Sequence, residues 1–282
     1  MTKVAAVQMR MSADKGSNLQ KAKRMTLEAI ANGAKIILLP ELFEGEYFCK
    51  DMDKRYFSWA KERKDNALIK EFAQIARSHD VVILVSYFEK SQEGYFNSLV
   101  LVDARGEHPQ QYRKTHIPDG PGYEEKFYFK PGNTGFVVWE TKYGNVGAGI
   151  CWDQWFSESA RILTLKGADI IFYPTAIGSE PEIGVDSKDH WQRVQMGHAA
   201  SNTVPVVAAN RVGEERGESC SLTFYGSSFM TDYTGKKIAE ADRESECIIY
   251  GEYDFEENAK QREYWGLLRD RRPQMYGTIC KE

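Results

Sequence analysis

The sequence predicts an α/β fold, a layered sandwich of helices and sheets formed by residues 1–282 as one domain. Short apolar runs typical of buried strands alternate with segments whose apolar residues recur at helical spacing. No linker rich in Pro, Gly or Ser divides the chain. Residues 33–40 (Gly-Ala-Lys-Ile-Ile-Leu-Leu-Pro) and 167–174 (Gly-Ala-Asp-Ile-Ile-Phe-Tyr-Pro) share a pattern, and each follows a small-residue strand and a helix. We interpret this pattern as a repeated strand–helix–strand unit, with convergence on a generic motif as the alternative.

In the first part of the chain, aliphatic and β-branched runs predict strands, and apolar residues along one face predict helices. The first helix is predicted to stop at Gly33, because glycine is a common helix terminator. In order, the elements are a strand at 4–9, a helix at 18–32, a strand at 34–40, a helix at 68–78, and strands at 81–87 and 97–103.

Residues 114–135 are predicted to form a long loop, because Pro and Gly recur through them. A loop of this length inside a domain is usually functional or disordered, and the aromatic residues within it favour order. The elements that follow are strands at 136–141 and 146–151, a helix at 157–165, a strand at 167–174, a helix at 190–203, and strands at 205–210, 225–231, 237–241 and 247–253. The aromatic and basic residues 264–273 are predicted to dock on a partner subunit.

Composition excludes several classes of protein. The chain is 42% hydrophobic and 28% charged, which is ordinary for a globular protein, and its net charge of -4 comes without a Lys/Arg run. We therefore expect no nucleic-acid partner. No apolar run reaches membrane-spanning length, and the first residues enter a strand without a signal-peptide pattern, so we expect no membrane partner. Five cysteines without a CxxC pair argue against a disulfide framework or thiolate zinc site and favour the cytoplasm.

The most informative stretch is residues 144–153, a small, apolar strand that ends in Cys151. Gly147 and Gly149 leave the backbone bare, which often marks close approach of a ligand or another chain segment. The thiol is thus predicted at the carboxyl end of a strand, where α/β sheets bind ligands. From this stretch alone, a nucleophile and a buried structural cysteine are equally good interpretations.

Two charged residues are candidate partners for this thiol. Strands joined by a crossover helix run parallel, so Glu41, just after the strand at 34–40, would face the same crevice as Cys151. A carboxylate behind an apolar strand would be partly desolvated, which suits a general base. Lys114 begins the long loop, where its ammonium would lower the pKa of the thiol and hold an oxyanion. Taken alone, Lys114 is better interpreted as a solvated lysine, and only its combination with Glu41 and Cys151 favours a catalytic role.

Three motifs together resemble the carbon–nitrogen hydrolase (nitrilase) family over nearly the whole chain. They are residues 39–43 (Leu-Pro-Glu-Leu-Phe), 112–116 (Tyr-Arg-Lys-Thr-His) and 149–153 (Gly-Ile-Cys-Trp-Asp). The resemblance implies a four-layer α-β-β-α sandwich, a homo-oligomer, and chemistry without a metal or other cofactor. The Glu–Lys–Cys triad of the family carries over as Glu41, Lys114 and Cys151. A second glutamate falls at Glu125 rather than Glu124, because the segment through Gly132 then aligns without a gap.

Further stretches resemble the branch of this family that hydrolyses N-carbamoylputrescine; they are residues 44–49, 116–123, 175–181, 189–191 and 265–273. This resemblance implies a small cationic ureido substrate and the products putrescine, CO2 and ammonia. Cys151 would attack the ureido carbonyl while Glu41 takes its proton. Lys114 and the backbone N–H of Trp152 would hold the oxyanion.

A cationic substrate requires a carboxylate and an aromatic face in its pocket. Trp152 is a candidate lining residue because it follows the nucleophile. Further candidates for substrate binding lie in the long loops; they are Tyr47, Tyr123, Glu46 and Asp186, with Glu180 and Asp189 as additional acids. For each acid, an exposed surface charge is the alternative interpretation.

Three other functions stay open from the sequence. A hydrolase of N-carbamoyl-β-amino acids would need an arginine in the pocket for the substrate carboxylate. A non-enzymatic binding protein is disfavoured by the intact Glu41, Lys114 and Cys151 set. A zinc hydrolase is disfavoured because His and Cys residues lack ligand spacing.

Overall fold

Two six-stranded sheets form the centre of the molecule. The computed structural model describes residues 1–180, 184–218 and 220–281. In chain order, the strands are β1 (Thr2–Gln8), β2 (Ile36–Leu38), β3 (Val82–Ser91), β4 (Gly94–Asp103), β5 (Gly106–Arg113), β6 (Val137–Thr141), β7 (Gly144–Ala148), β8 (Ile170–Pro174), β9 (Val206–Ala209), β10 (Val212–Arg216), β11 (Ser221–Tyr225), β12 (Phe229–Thr231), β13 (Lys237–Glu240) and β14 (Cys247–Tyr253).

Helices flank these sheets. They are α1 (Lys15–Ala31), α2 (Ala67–His79), the single turn α3 (Glu125–Tyr128), α4 (Ser157–Leu165), α5 (Lys188–Asn202) and α6 (Phe255–Trp265). Side-chain caps begin several of them: Asp14 accepts from Gly16 N at α1, and Asn66 accepts from Leu68 N at α2. No helix in the described part of the chain has the length and apolar character needed to span a membrane.

The strand order in the first sheet is β14-β1-β2-β3-β4-β5, and in the second it is β13-β12-β9-β8-β7-β6. The central pairs β1–β2, β2–β3, β7–β8 and β8–β9 are parallel, whereas the outer pairs are antiparallel. Strands β10 and β11 form a separate two-stranded sheet. The parallel centre of each sheet brings the carboxyl ends of several strands to one edge.

Both strand–helix–strand units predicted from the repeat are present. Strand β1 pairs with β2 in parallel, with Val4 opposite Ile36, and helix α1 joins them. Strand β7 pairs with β8 in parallel, with Val146 opposite Ile170, and helix α4 joins them. Glu41 follows the second strand of the first unit, and Cys151 follows the first strand of the second unit.

Successive side chains of β1 enter two different cores, which shows how the layers stack. Val4 and Ala6 belong to the core that includes residues of the second sheet, whereas Ala5 and Val7 pack with residues of α1 and α2. The second sheet is covered in turn by α4 and α5, whose Leu163, Trp191 and Ala199 join its core. The predicted four-layer α-β-β-α sandwich is thereby confirmed.

Three local predictions were incomplete. The segment 225–231 is not one strand, because Gly226 and Ser227 each have a φ of 56° and turn the chain between β11 and β12. Strand β5 was not predicted, because its residues are mostly polar and form no apolar run. A polar sequence with a proline is tolerated there because the strand lies at the edge of its sheet. Helix α6 also escaped prediction, since Asn258 is its one buried residue and no apolar stripe marks it.

Candidate active site

Lys114 lies immediately after β5, at the edge where the parallel strands end. Its backbone is held on both sides: Lys114 N donates to Asn97 O at 2.8 Å, and Gly132 N donates to Lys114 O at 2.7 Å. A Cβ at Gly132 would stand 2.1 Å from Arg113 O, so this close approach requires glycine. The long loop therefore folds back against the residue at its own start.

The Lys114 side chain is buried between two glutamates. Its Nζ donates to Glu41 Oε1 at 2.9 Å and to Glu125 Oε1 and Oε2 at 2.8 and 2.6 Å, and all three side chains are fully buried. Burial by itself lowers the pKa of the Lys114 ammonium, but Glu125 and Glu41 outweigh it and leave that pKa well above its usual value. Lys114 therefore stays protonated at neutral pH.

The two carboxylate oxygens of Glu41 differ. Oε1 accepts from Lys114 Nζ and, at 2.6 Å, from Asn97 Nδ2. Oε2 is buried and has no hydrogen-bond partner among the described residues. A buried oxygen without a partner is costly and asks for an explanation. Here the explanation is chemical, because Oε2 is the oxygen of Glu41 that is available to accept a proton.

Glu125 completes the buried cluster from the single turn α3. The Tyr47 hydroxyl donates to Glu125 Oε1 at 2.7 Å. Burial raises the pKa of Glu125 to about 7, although the neighbouring Lys114 ammonium acts in the opposite direction. Glu125 lines the same cavity as Cys151, so it adjoins the thiol as well as the ammonium.

Cys151 begins a short 3₁₀ turn just past the end of β7 and has a left-handed φ of 42°. This sharp turn explains the bare backbone before it: a Cβ at Gly149 would stand 2.9 Å from Tyr173 Cε1 and 3.0 Å from Asp153 Cβ. The Cys151 Sγ lies 3.7 Å from Ala176 O. A non-glycine residue in such a conformation stores strain and is frequent at functional sites.

Burial and the Glu41 carboxylate raise the pKa of the Cys151 thiol well above its usual value, and Lys114 opposes them without prevailing. Lys114 does lower the pKa of the thiol, as expected, but desolvation and two carboxylates, Glu41 and Glu125, outweigh that one ammonium. The thiol is therefore neutral at rest, and it needs a base at the moment of attack.

Asp153 ties the Cys151 turn to the segment after Lys114. Its Oδ2 accepts from Ile150 N at 2.9 Å and from the Tyr112 hydroxyl at 2.6 Å. Its Oδ1 accepts from the backbone N of His116 at 3.0 Å and lies 2.8 Å from His116 Nδ1. This fully buried carboxylate thus connects the first sheet to the second at the point where thiol and ammonium meet.

A cavity of about 140 Å³ opens beside the thiol. Its walls include the aromatic side chains of Tyr123 and Trp152 and, besides Glu125, the carboxylates of Asp119 and Glu180. The residues that line it are Pro118, Asp119, Gly120, Pro121, Tyr123, Glu125, Cys151, Trp152, Ala176, Ile177 and Glu180. Within residues 1–180, 184–218 and 220–281, no group of His, Cys, Asp or Glu side chains is arranged to hold a metal ion. The cavity therefore presents acidic and aromatic side chains next to the thiol.

Comparison with known proteins agrees with this geometry. Residues 3–263 match the family model of the carbon-nitrogen hydrolases. The chain belongs to the carbon–nitrogen hydrolase family. It is 51% identical over 281 residues to a citrullinase of Francisella tularensis, with 99% of this chain and 98% of that protein covered. It is 49% identical over 281 residues to an N-carbamoylputrescine amidase of Arabidopsis thaliana, with 98% and 94% covered.

The fold of this carbon–nitrogen hydrolase is also that of solved structures. A carbon-nitrogen hydrolase from Helicobacter pylori G27 superposes with a TM-score of 0.92 at 34% identity, over 100% of this chain and 99% of that one. The protein is therefore a hydrolase of carbon–nitrogen bonds. The Glu41, Lys114, Glu125 and Cys151 side chains meet at one point, as the sequence motifs predicted from four separate segments.

The five predicted substrate contacts divide into two groups. Trp152 and Tyr123 line the cavity, and the Tyr123 hydroxyl accepts from Gly178 N at 3.0 Å. Three others lie elsewhere in this carbon–nitrogen hydrolase. Glu46 pairs with Lys50 at 2.6 Å, Asp186 pairs with Arg243 at 2.6 Å, and Tyr47 is fully buried behind Glu125. Of the additional acids, Glu180 lines the cavity, whereas Asp189 is exposed beside Lys188.

Sequence reasoning missed two residues of the site. Asn97 belongs to none of the sequence motifs. Its side-chain amide donates to Glu41, and its backbone carbonyl accepts from the backbone N of Lys114, because β4 lies between β2 and β5 in the sheet. Asp119 lines the cavity from the loop that follows Lys114. Its signal was present, since it lies in a stretch that resembles the N-carbamoylputrescine branch, but an acid in a loop is usually an exposed charge.

Proposed function

We propose that this protein hydrolyses N-carbamoylputrescine to putrescine, CO2 and ammonia. The observation that carries the proposal is a buried Glu41–Lys114–Glu125 cluster beside Cys151 that adjoins a cavity bearing two further carboxylates, Asp119 and Glu180. The cluster suits attack on a carbonyl carbon, and the outer carboxylates suit an alkylammonium group. Relatives from Arabidopsis thaliana and Oryza sativa at 49% and 48% identity carry the name N-carbamoylputrescine amidase.

In the first half of the reaction, Cys151 Sγ attacks the ureido carbonyl carbon while Glu41 Oε2 takes the thiol proton. Charge develops on the carbonyl oxygen, which the Lys114 ammonium and the backbone N–H of Trp152 stabilise. Glu41 then passes its proton to the departing nitrogen, and ammonia leaves. A carbamoyl thioester remains on Cys151.

In the second half, water attacks the thioester carbon, and Glu41 accepts the water proton. The C–S bond breaks, Cys151 regains its proton, and a carbamate is released. This carbamate decomposes to putrescine and CO2. Each half transfers one proton through Glu41, so the base returns to its starting state after every turnover.

The distal end of the substrate is assigned to the outer carboxylates of the cavity. Burial raises the pKa of Glu180, and a hydrogen bond from Ser187 opposes that rise. An arriving ammonium would favour the charged form of Glu180, as Lys114 favours that of Glu125. Trp152 and Tyr123 supply the aromatic faces that pack against the methylene chain and the cation.

Citrulline is the second candidate, because a relative 51% identical to this chain bears the name citrullinase. Citrulline carries the same ureido group, but its distal end has a carboxylate beside the ammonium. Among the described residues that line the cavity there is no arginine, and Arg243, which lines the neighbouring cavity, is paired with Asp186. The charge of the cavity favours the substrate without a carboxylate, and it argues likewise against N-carbamoyl-β-amino acids.

The test measures ammonia release from N-carbamoylputrescine, citrulline and N-carbamoyl-β-alanine by the purified protein. We expect kcat/KM for N-carbamoylputrescine to exceed the other two by about tenfold or more, since an unpaired carboxylate in a buried site disfavours binding by at least about 1.4 kcal/mol. Intact mass during turnover should show one N-(4-aminobutyl)carbamoyl group on Cys151, because ammonia leaves first and the putrescine chain stays on the thioester. Faster turnover of citrulline would reverse the assignment, and no release from any of the three would revive a non-enzymatic role.

We also propose that the protein is a cytoplasmic homo-oligomer with no nucleic-acid or membrane partner. Cysteine usage supports the location, and a net charge of -4 without a Lys/Arg run supports the absence of a nucleic-acid partner. The end of α6 and the segment after it expose large apolar side chains, which frequently mark an interface. They include Trp265 (60% exposed), Met275 (65%) and Ile279 (66%). A second copy of this chain would cover them. Light scattering of the wild type and of Trp265→Asp should give an oligomer and a smaller species, respectively.

A further inference from the structure

A buried ion pair that the reaction does not use lies directly behind Glu41. Arg211 precedes β10 and is fully buried, and its Nη1 donates to Glu215 Oε1 at 2.9 Å. Glu215 is 7% exposed. A buried ion pair is weak evidence for stability, because desolvation of both charges offsets their attraction. The hydrogen bonds that Arg211 and Glu215 make to the rest of the protein therefore indicate what the ion pair does.

Those contacts converge on one loop. Arg211 Nη2 donates to Glu41 O at 3.0 Å and to Leu42 O at 2.7 Å, and Nη1 donates to Gly45 O at 3.0 Å. These carbonyls lie outside any strand ladder, and Leu42 has a left-handed φ of 48°. The planar guanidinium thus holds three carbonyls of an irregular segment, one of them on the general base itself.

The partner carboxylate reaches the far end of the same loop. Glu215 Oε2 accepts from the backbone N of Tyr47. The Arg211 guanidinium lies 5.7 Å from the Tyr47 ring centroid, and the Tyr47 hydroxyl donates to Glu125 Oε1. One ion pair therefore contacts the backbone that carries Glu41 and, through Tyr47, the side chain of Glu125.

We propose that Arg211 and Glu215 are positioning residues that set the two carboxylates on either side of Lys114. This inference rests on the proposed catalytic role of Glu41. Without the guanidinium, the carbonyls of Glu41, Leu42 and Gly45 lose their donor, and the backbone that carries the Glu41 side chain is no longer held in place. Since a misplacement of about 1 Å can cost about 10²-fold in rate, loss of the pair lowers kcat far more than it changes binding.

Arg211→Met removes all three hydrogen bonds to the loop carbonyls, and Arg211→Lys keeps the positive charge but not the planar, two-pronged guanidinium. Tyr47→Phe removes only the contact to Glu125. The matched control is Arg262→Met, because Arg262 likewise donates to a backbone carbonyl, Ala168 O at 3.1 Å. Ala168 precedes β8 and lies at the opposite edge of the sheet from Cys151, so this control changes stability without touching the site.

Turnover is measured per active site, with sites counted by stoichiometric alkylation of Cys151, so that loss of folded protein does not enter the rate. We expect kcat per site to fall about 100-fold in Arg211→Met and about tenfold in Arg211→Lys and Tyr47→Phe, with KM within threefold of wild type. Arg262→Met should keep kcat per site. Equal per-site kcat in wild type and Arg211→Lys would overturn the proposal, as would a rise in KM with unchanged kcat.

A second measurement does not require the substrate. The rate at which iodoacetamide alkylates Cys151 depends on proton removal by Glu41, so it should fall about tenfold in Arg211→Lys and stay constant in Arg262→Met. If the wild type hydrolyses none of the ureido substrates but Arg211→Lys still slows alkylation, the proposed substrate is wrong and the positioning role stands. If alkylation is unchanged in Arg211→Lys and Tyr47→Phe, the positioning role is wrong whatever the substrate.

Discussion

The two parallel strand–helix–strand units place their chemistry at different strand ends. In the first unit, the first strand leads to Gln8, which holds Ser228 and two backbone carbonyls, whereas the second leads to Glu41. In the second unit, the first strand leads to Cys151, whereas the second leads to Thr175, which bonds to Gln154. Similar local architecture thus offers two positions in each sheet, and each sheet uses a different one.

As a result, each sheet supplies different groups for the reaction. The first sheet supplies the base and the ammonium through the ends of β2 and β5, and the second supplies the nucleophile after β7 and the cavity wall after β8. A carboxylate and a thiol on the same pair of strands would have to share one short edge. With the carboxylate on one sheet and the thiol on the other, different residues bury each group, and the two groups still come together between the sheets.

The largest expected effect comes from the second sheet. Cys151→Ala removes the nucleophile and should lower kcat by about 10⁴-fold or more, because loss of a covalent nucleophile removes the reaction path itself. Ammonia release and intact mass check this, and the carbamoyl adduct should vanish. The control is Cys280→Ala, which removes an exposed cysteine and should behave as wild type. Residual adduct in Cys151→Ala would place the nucleophile elsewhere.

The next effect comes from the first sheet. Lys114→Met removes the ammonium that faces the developing oxyanion and should lower kcat by about 10²- to 10³-fold. Because it breaks a buried ion cluster, it should also lower the free energy of unfolding by about 3–5 kcal/mol. Steady-state kinetics and urea unfolding measure the two effects separately. Near-normal turnover would remove Lys114 from the mechanism and leave it a structural role.

The stability of Lys114→Met should also depend on pH in a definite direction. Burial raises the pKa of Glu125 to about 7 even in the presence of Lys114, which opposes that rise. A carboxyl whose pKa is raised by folding stabilises the protein while protonated, and this contribution is lost as pH rises through the folded-state pKa. Removal of Lys114 raises the pKa of Glu125 further, so relative to wild type the variant should lose stability as pH rises above about 7. The opposite slope would contradict the assigned burial of Glu125.

A smaller effect is expected at Asn97, which contacts both members of the first-sheet pair. Asn97→Ala frees Glu41 Oε1 from one donor and should lower kcat about tenfold, with the Lys114 contact still in place. Asn202→Ala is the matched control, because this buried amide donates to His198 O away from the site. The two variants should lose comparable stability, about 1–3 kcal/mol each. Equal kcat in both would assign Asn97 a structural role only.

The smallest effect is expected at the cavity wall. Glu180→Gln removes one of the two outer carboxylates of the cavity, and Asp119 remains. We expect KM for N-carbamoylputrescine to rise about fivefold and kcat to stay nearly unchanged, because the proposed ammonium subsite would keep one carboxylate. N-butylurea, which has the same ureido group without the charge, serves as the control substrate. Its KM should not change. A similar rise for both substrates would show that Glu180 shapes the cavity rather than binds the cation.

The sequence supported prediction where a local pattern determines the outcome. Apolar runs located β1, β2, β7 and β8, and short motifs located Glu41, Lys114 and Cys151 at the ends of their segments. Prediction failed where the deciding contact is distant in sequence. Glu46 and Asp186 are acids in loops, as a cation site requires, but Lys50 and Arg243 neutralise them. Three further residues contact the catalytic glutamates or their loop without lining the cavity; they are Tyr47, Arg211 and Glu215. No local sequence pattern distinguishes such a residue from one that lines the cavity.

The apolar layer between the sheets acquires a second role from this division of labour. Ala6 and Leu38 enter it from one side, and Val146 and Ala148 enter it from the other. Because base and nucleophile stand on opposite walls, the thickness of this layer fixes how far apart they are. Enlarging Ala6 or Ala148, which are fully buried, would overpack this layer and cost about 1–3 kcal/mol. The packing between the two sheets therefore also sets the distance between the base and the nucleophile.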